Sequence, residues 1–195
     1  MPRSVALAIA ALVSSSAFAA PETYAIDPLH SFPYFSLSHL GMSTLMGRFD
    51  KMTGTVMLDR AAKTGSLEVK IPTTGVNTGF DKRGEGPRTR DEHLRSADFF
   101  NSAEFPDMTY KSTKFNFAGD TLESVEGNLT LLGVTKPVKL AVTAFKCGPN
   151  PFDKKEMCGA DANAVIKRSD FGVKFGVPAI GDDVRLILNV EAYKQ

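Results

Sequence analysis

Residues 125–144 read VEGNLTLLGVTKPVKLAVTA. Val125, Gly127, Leu129 and Leu131 alternate with Glu126, Asn128 and Thr130. A second set, Val138, Leu140, Val142 and Ala144, follows Pro137. A period of two puts each apolar set on one face of an extended strand. LGVTKP at 132–137 stands between them, and its glycine and proline punctuate the chain. The stretch therefore reads as two half-buried strands joined by a short turn.

The same pattern recurs on both sides. Leu67, Val69 and Ile71 alternate with Ser66, Glu68 and Lys70, and Val184, Leu186, Leu188 and Val190 alternate with Arg185, Asn189 and Glu191. Further strands are expected at 22–28, 33–41, 46–58, 108–118 and 158–168. Eight or nine strands with short connections define an all-β antiparallel barrel or sandwich. The longest interruption is NTGFDKRGEGPRTRDEHLRSADFFNSAEFP. Within it Thr89 and Glu92 have capping-box spacing, and Asp91 precedes Arg95 by four in the order that favours a helical ion pair. A short helix is expected over 89–97, placed to act as a lid.

The first residues, MPRSVALAIAALVSSSAFAA, combine Arg3, an apolar run from Val5 to Val13 and the small residues Ala17 and Ala19. This is the layout of a secretory signal with cleavage after Ala19. The run is too short to cross a bilayer core of about 30 Å as a helix. Residues 1–19 are therefore expected to be a signal peptide and 20–195 a single exported domain. The full chain has 23 Lys and Arg against 22 Asp and Glu, and loss of Arg3 balances them. Nucleic-acid binding calls for a basic face and is not expected. No internal repeat or second domain is evident.

The two cysteines, Cys147 and Cys158, flank GPNPFDKKEM. In an oxidising compartment such a pair is expected to bridge and close a loop between two strands. Two thiols without a histidine between them make a poor zinc cage. His30, His39 and His93 fall on different expected elements, so no metal site is assigned.

The chain shows none of the local catalytic signatures of serine hydrolases, zinc proteases or phosphate-binding loops. The sharpest alternative is general acid–base chemistry by His93, oriented by Asp91 or Glu92. Adjacent residues of a helix point in different directions, which favours a structural role for Asp91, His93 and Arg95. There are 14 phenylalanines and no tryptophan. Such rings can fill a small barrel or line a cavity within it, and composition alone leaves both open.

YAIDPLHSFPYFSLSHLGMSTLMGRFDKMTGTVMLD, RDEHLRSADFFNSAEFPDMTYKST, EGNLTLLGVTKPVKL, IKRSDFG and IGDDVRLILNVEAYK stand in this order along the chain. Together they resemble the YceI-like family of bacterial periplasmic proteins, over about Tyr24 to Lys194. The resemblance implies an extended lipocalin-like antiparallel β-barrel. It also implies an apolar pocket for a long-chain amphiphile: a polyisoprenoid, an isoprenoid quinone or a fatty acid derivative. No cofactor is expected beyond such a bound lipid.

The inward faces of the strands would then supply Phe35, Leu37, Val69, Ile71, Leu129 and Leu131 to the pocket. Leu140, Val142, Leu186 and Leu188 would complete its wall, and Phe99 and Phe100 would turn in from the lid. Transient membrane contact is compatible with this reading, and the oligomeric state is left open. The competing readings are a stress or interaction module with a filled barrel, and a lipid-modifying enzyme.

Overall fold

The computed structural model describes residues 20–79 and 87–195, so the leader expected over 1–19 lies outside the described residues. Eleven strands follow one another: β1 Glu22–Ile26, β2 Phe32–His39, β3 Ser43–Phe49, β4 Thr53–Asp59, β5 Thr64–Pro72, β6 Val76–Asn77, β7 Asp107–Ala118, β8 Thr121–Leu131, β9 Val134–Pro149, β10 Glu156–Lys167 and β11 Asp183–Lys194. Among the described residues one α-helix, α1, spans Arg90–Arg95 between β6 and β7.

The pairings reduce these to eight staves. β1 and β2 both pair with β11 on one side. On the other side β1 meets β4 and β2 meets β3. β4 pairs with β5 while β3 pairs with β6. Thus β1/β2, β3/β4 and β5/β6 are three interrupted staves, followed by β7, β8, β9, β10 and β11. Every neighbour is antiparallel, and the β1–β11 pairing closes the ring. The fold is a closed eight-stave up-and-down barrel, which leaves no long free edge.

The single strand expected over 46–58 is divided at Asp50–Met52. Met52 is buried there, and the Asp50 N–H donates to the Gly75 carbonyl at 2.9 Å. The break between β1 and β2 is anchored by Ser31. It is fully buried, its hydroxyl donates to the Glu191 carbonyl at 3.0 Å, and it accepts the Glu191 N–H at 2.9 Å. Such kinks let the staves curl around the interior while their backbone groups stay satisfied.

The alternation read in β9 also fails at one point. Val142 pairs with Ala162, but the next pairing joins Ala144 to Asp161, so the register slips at Thr143. A one-residue slip exchanges the faces. Ala144 is consequently exposed, and Phe145 takes the inward place.

The bridge Cys147–Cys158 forms between register partners on β9 and β10, with S–S 2.02 Å. The cysteines lie within the strands, and the turn itself runs from Asn150 to Lys155, where the Asn150 N–H donates to the Lys155 carbonyl at 2.8 Å. This end of the barrel also carries the β4–β5 and β7–β8 turns. The opposite end carries the β2–β3 turn, the long crossover containing α1, and the segment between β10 and β11.

Candidate functional site: a hollow barrel with one exposed end

The interior is not filled. A cavity of about 400 Å³ runs inside the staves, within the ~300–1,000 Å³ range of small-molecule sites. Cross-strand glycines help to keep it open. A Cβ on Gly127 would stand 2.5 Å from the Tyr110 ring, and one on Gly65 would stand 2.6 Å from the Phe115 ring. These rings lie over bare backbone instead of projecting across the barrel. The Tyr110 hydroxyl is oriented toward the carbonyls of Val125 and Val138, at 3.1 and 3.0 Å, so its polar tip is turned into the wall. Burial pushes its pKa up, and the phenol stays neutral.

The structure places all ten strand residues read from the alternation on this cavity wall. Phe35, Leu37, Val69, Ile71, Leu129 and Leu131 are there, as are Leu140, Val142, Leu186 and Leu188. Phe99 and Phe100 join them from the segment after α1. Phe99 is buried and Phe100 half-buried, with the Phe100 ring 5.3 Å from that of Phe49.

The capping box opens α1 as expected: the Glu92 N–H donates to Thr89 Oγ1 at 3.1 Å and the Thr89 N–H to Glu92 Oε2 at 2.6 Å. The pair expected between Asp91 and Arg95 gives way to two separate anchors. Asp91 Oδ1 accepts from the Thr78 N–H at 3.0 Å and from its hydroxyl at 2.6 Å. Arg95 Nη2 donates to the Val76 carbonyl at 3.2 Å. Both contacts bind the helix to β6 and the residue after it. His93 is oriented by Asp98 rather than by Asp91 or Glu92, with Nε2 at 2.8 Å from Asp98 Oδ2. Its ring lies edge-on to Phe99 and to Phe175, each at 5.0 Å between centroids.

Phe175 marks where the cavity reaches water. Among the described residues on its wall, only Arg90 and Phe175 are exposed. The mouth therefore lies between α1 and the segment 172–182. The polar residues His39, His93, Arg90 and Arg168 reach the wall at this end. The far end is plugged by Tyr24, whose hydroxyl donates to Glu22 Oε2 at 2.6 Å.

Arg168 organises the mouth, and sequence reading assigned it no role. It is 6% exposed. Its Nε donates to the Gly181 carbonyl at 2.8 Å and Nη1 to that of Val173 at 3.1 Å. Nη2 donates to the carbonyls of Phe175 and Ile180 at 2.9 and 2.8 Å. Burial pulls its pKa down, against the attraction of Asp182. An arginine fork can gather several carbonyls in this way, which a lysine point charge cannot. The signal available in sequence was IKRSDFG, where an arginine ends a strand before a glycine. Gly172 follows with φ of 92°, a conformation that favours glycine.

The three histidines do not gather into one ligand set among the described residues. The one group there with ligand atoms within 4.8 Å of one another is Asp27, His30 and Glu191. None of the three lines the cavity, and His30 Nδ1 already meets Asp27 Oδ2 at 2.7 Å.

An apolar chamber with a polar mouth, enclosed by an eight-stave antiparallel barrel, is a hollow β-barrel of the lipocalin-like kind. The YceI-like domain model matches residues 24–192, and the chain belongs to that family. It is 38% identical over 192 residues to Protein YceI of Escherichia coli O6:H1, covering 97% of this chain and 96% of that one. The Campylobacter jejuni YceI protein superposes with TM-score 0.65 at 30% identity, over 82% of this chain and 90% of the other. A domain from Saccharophagus degradans, described as polyisoprenoid-binding and implicated in plant cell wall breakdown, superposes with TM-score 0.63. At 20% identity, over 88% of this chain and 98% of that one, it shares the fold.

Proposed function

We propose that the protein is a periplasmic binder or carrier of a long-chain amphiphilic lipid: a polyisoprenoid, an isoprenoid quinone or a fatty acid derivative. The observation that carries this reading is the apolar cavity, continuous along the barrel and polar only toward its ends. A tail would lie among Val69, Leu129, Leu140 and Leu186. A head group would sit at the mouth, near His39, His93 and Arg90. Burial of ten methylenes is worth about 8 kcal/mol gross, which association and ordering offset in part. Affinity of this origin needs no covalent step, so the reading is of binding without turnover. The helix α1 with Phe99 and Phe100 acts as the lid, and Asp91, His93 and Arg95 hold it in place.

The Cys147–Cys158 bridge supports an oxidising compartment. The description of the Saccharophagus degradans domain supports the isoprenoid class of ligand. Mass spectrometry of the organic extract of natively purified protein tests the reading, alongside titration with an isoprenoid quinone and a fatty acid. A long-chain lipid in the extract at near one per chain is expected. An extract without lipid, together with failure of both titrations, rejects the carrier reading.

A further inference from the structure

We propose that the turn Leu40–Met42 and the segment Val173–Ile180 form one docking surface that seats the cavity mouth on an anionic lipid bilayer. This rests on the lipid-binding reading for its purpose but on separate residues for its evidence.

The two segments are one body. The Leu40 N–H donates to the Ala179 carbonyl at 2.7 Å, and the Gly181 N–H donates to the Ser38 carbonyl at 2.8 Å. His39 and Ile180 form an isolated β-bridge between these bonds. Beneath them the Arg168 fork holds the carbonyls of Val173, Phe175, Ile180 and Gly181.

This tied tip presents large apolar side chains to water. Leu40 is 55% exposed, Met42 90%, Phe175 45% and Val177 39%. A single exposed apolar residue is ordinary, but four on one tied tip mark an interaction surface. The surface is continuous with the cavity, because Phe175 belongs to both.

Charge selects the partner. SHLGMS at 38–43 and VKFGVPAI at 173–180 contain no carboxylate. Lys174 is an exposed cation on the tip, and across the mouth the Asp98 carboxylate is already engaged by Arg88 and His93. Apolar side chains that enter the head-group layer, with cations at its level, fit a negatively charged lipid surface. A bilayer is also where a long-chain lipid resides, so docking would let it move between membrane and cavity without crossing water.

The test uses the full mature chain and vesicles of phosphatidylethanolamine and phosphatidylglycerol at three to one, against phosphatidylcholine vesicles. Because the chain contains no tryptophan, Met42→Trp supplies a single emission reporter. Its emission should shift to the blue on the anionic vesicles and stay unchanged with phosphatidylcholine. In co-flotation, binding to anionic vesicles should fall at least tenfold in Leu40→Asn/Met42→Ser/Lys174→Glu. None of these three residues lines the cavity, so binding of the fluorescent fatty acid cis-parinaric acid in solution should be unchanged in that variant.

Equal vesicle binding by wild type and variant overturns the proposal. So does self-association of the wild type through this tip in sedimentation, which would assign the surface to a second copy. The two readings fail separately. Tip-dependent vesicle binding without uptake of cis-parinaric acid leaves docking standing and counts against the carrier, and uptake without vesicle binding does the reverse.

Discussion

Phe35 and Gly47 face each other across β2 and β3, and the Phe35 ring occupies the place where a Cβ of residue 47 would stand. The ring then packs at 5.8 Å from Phe49 on the cavity wall. A methyl group at position 47 has nowhere to go unless the ring swings inward. Gly47→Ala should therefore cost about 1–3 kcal/mol, the usual range for overpacking. It should also weaken fatty-acid binding, because the displaced ring takes cavity volume. Adding Phe35→Leu should restore part of both losses, giving a measurable coupling in urea titrations. Additive effects of the two changes would show that ring and glycine do not share this space.

A charge placed in the wall should empty the cavity. Leu140 is 6% exposed and lies on the wall. Leu140→Arg would leave an unpaired cation in an apolar chamber, at a cost of several kcal/mol. The variant should carry no lipid after purification, and circular dichroism should show that the barrel persists. A folded variant that still retains lipid would exclude this part of the wall from the binding surface.

The seam of the barrel is acid-sensitive. Glu22 Oε1 accepts from Lys194 Nζ at 2.6 Å, which ties β1 to β11 where the ring closes. Oε2 accepts from the Tyr24 hydroxyl at 2.6 Å and from Arg60 Nη2 at 3.2 Å. Lys194 first, and then Tyr24, hold the Glu22 carboxyl down from 4.5 to about 2. Burial, and then the Glu22 hydrogen bond, push Tyr24 up to about 12. A carboxylate with a lowered folded pKa adds stability above its ordinary value and loses it as pH falls through the folded one. The contribution should therefore be complete above pH 4.5 and fade toward pH 2. Glu22→Gln should flatten that part of the stability profile and leave the slope at neutral pH unchanged.

The bridge should matter at the opposite end from the mouth. Replacing both Cys147 and Cys158 by serine should lower stability by about 2–3 kcal/mol on the loop-entropy estimate. Cys158 is 9% exposed and lines the cavity. Thiol labelling of unreduced, denatured wild type should find no free cysteine, and two free thiols would remove the bridge from this account.

Arg168→Met should loosen the mouth without removing the wall. Four carbonyls would lose their donor, and each buried orphan costs about 1–3 kcal/mol when it finds no water. The amides of Leu40 and Gly181, whose acceptors belong to the tied tip, should exchange hydrogen faster in this variant. Protection equal to wild type would show that the tip holds itself together without the arginine.

The walls of the barrel were legible in the sequence because a strand writes its burial at every second residue. Val69, Ile71, Leu129, Leu131, Leu186 and Leu188 needed no more than that rule to be placed on one face. The break between β1 and β2 was legible too, as separate strands at 22–28 and 33–41, but the one within 46–58 was not. Apolar and polar residues run on through Arg48 to Gly54, and only the pairing of Asp50 with Gly75 shows that one stave turns there. The slip at Thr143 escaped notice for a similar reason, since Ala144 is small enough to suit either face. The mouth was hidden because Arg168, Phe175 and Ile180 lie in a segment with no periodicity, where contacts are made to backbone carbonyls. Composition carries no record of such acceptors. The only carboxylate partners weighed for His93 were Asp91 and Glu92, and these nearer residues masked Asp98, five positions on.

The Cys147–Cys158 bridge and the Arg168 fork sit at opposite ends of one vessel, and they differ in kind. One end is stitched covalently, while the other is laced by hydrogen bonds to a handful of carbonyls. The barrel is thus a cup with a stiff base and a yielding rim. Swelling to admit a thicker chain should begin at the rim and die away toward the base. If the proposed lipid binding holds, chains of different girth would be accommodated by how far the rim spreads, and the base would set the depth to which any tail can descend.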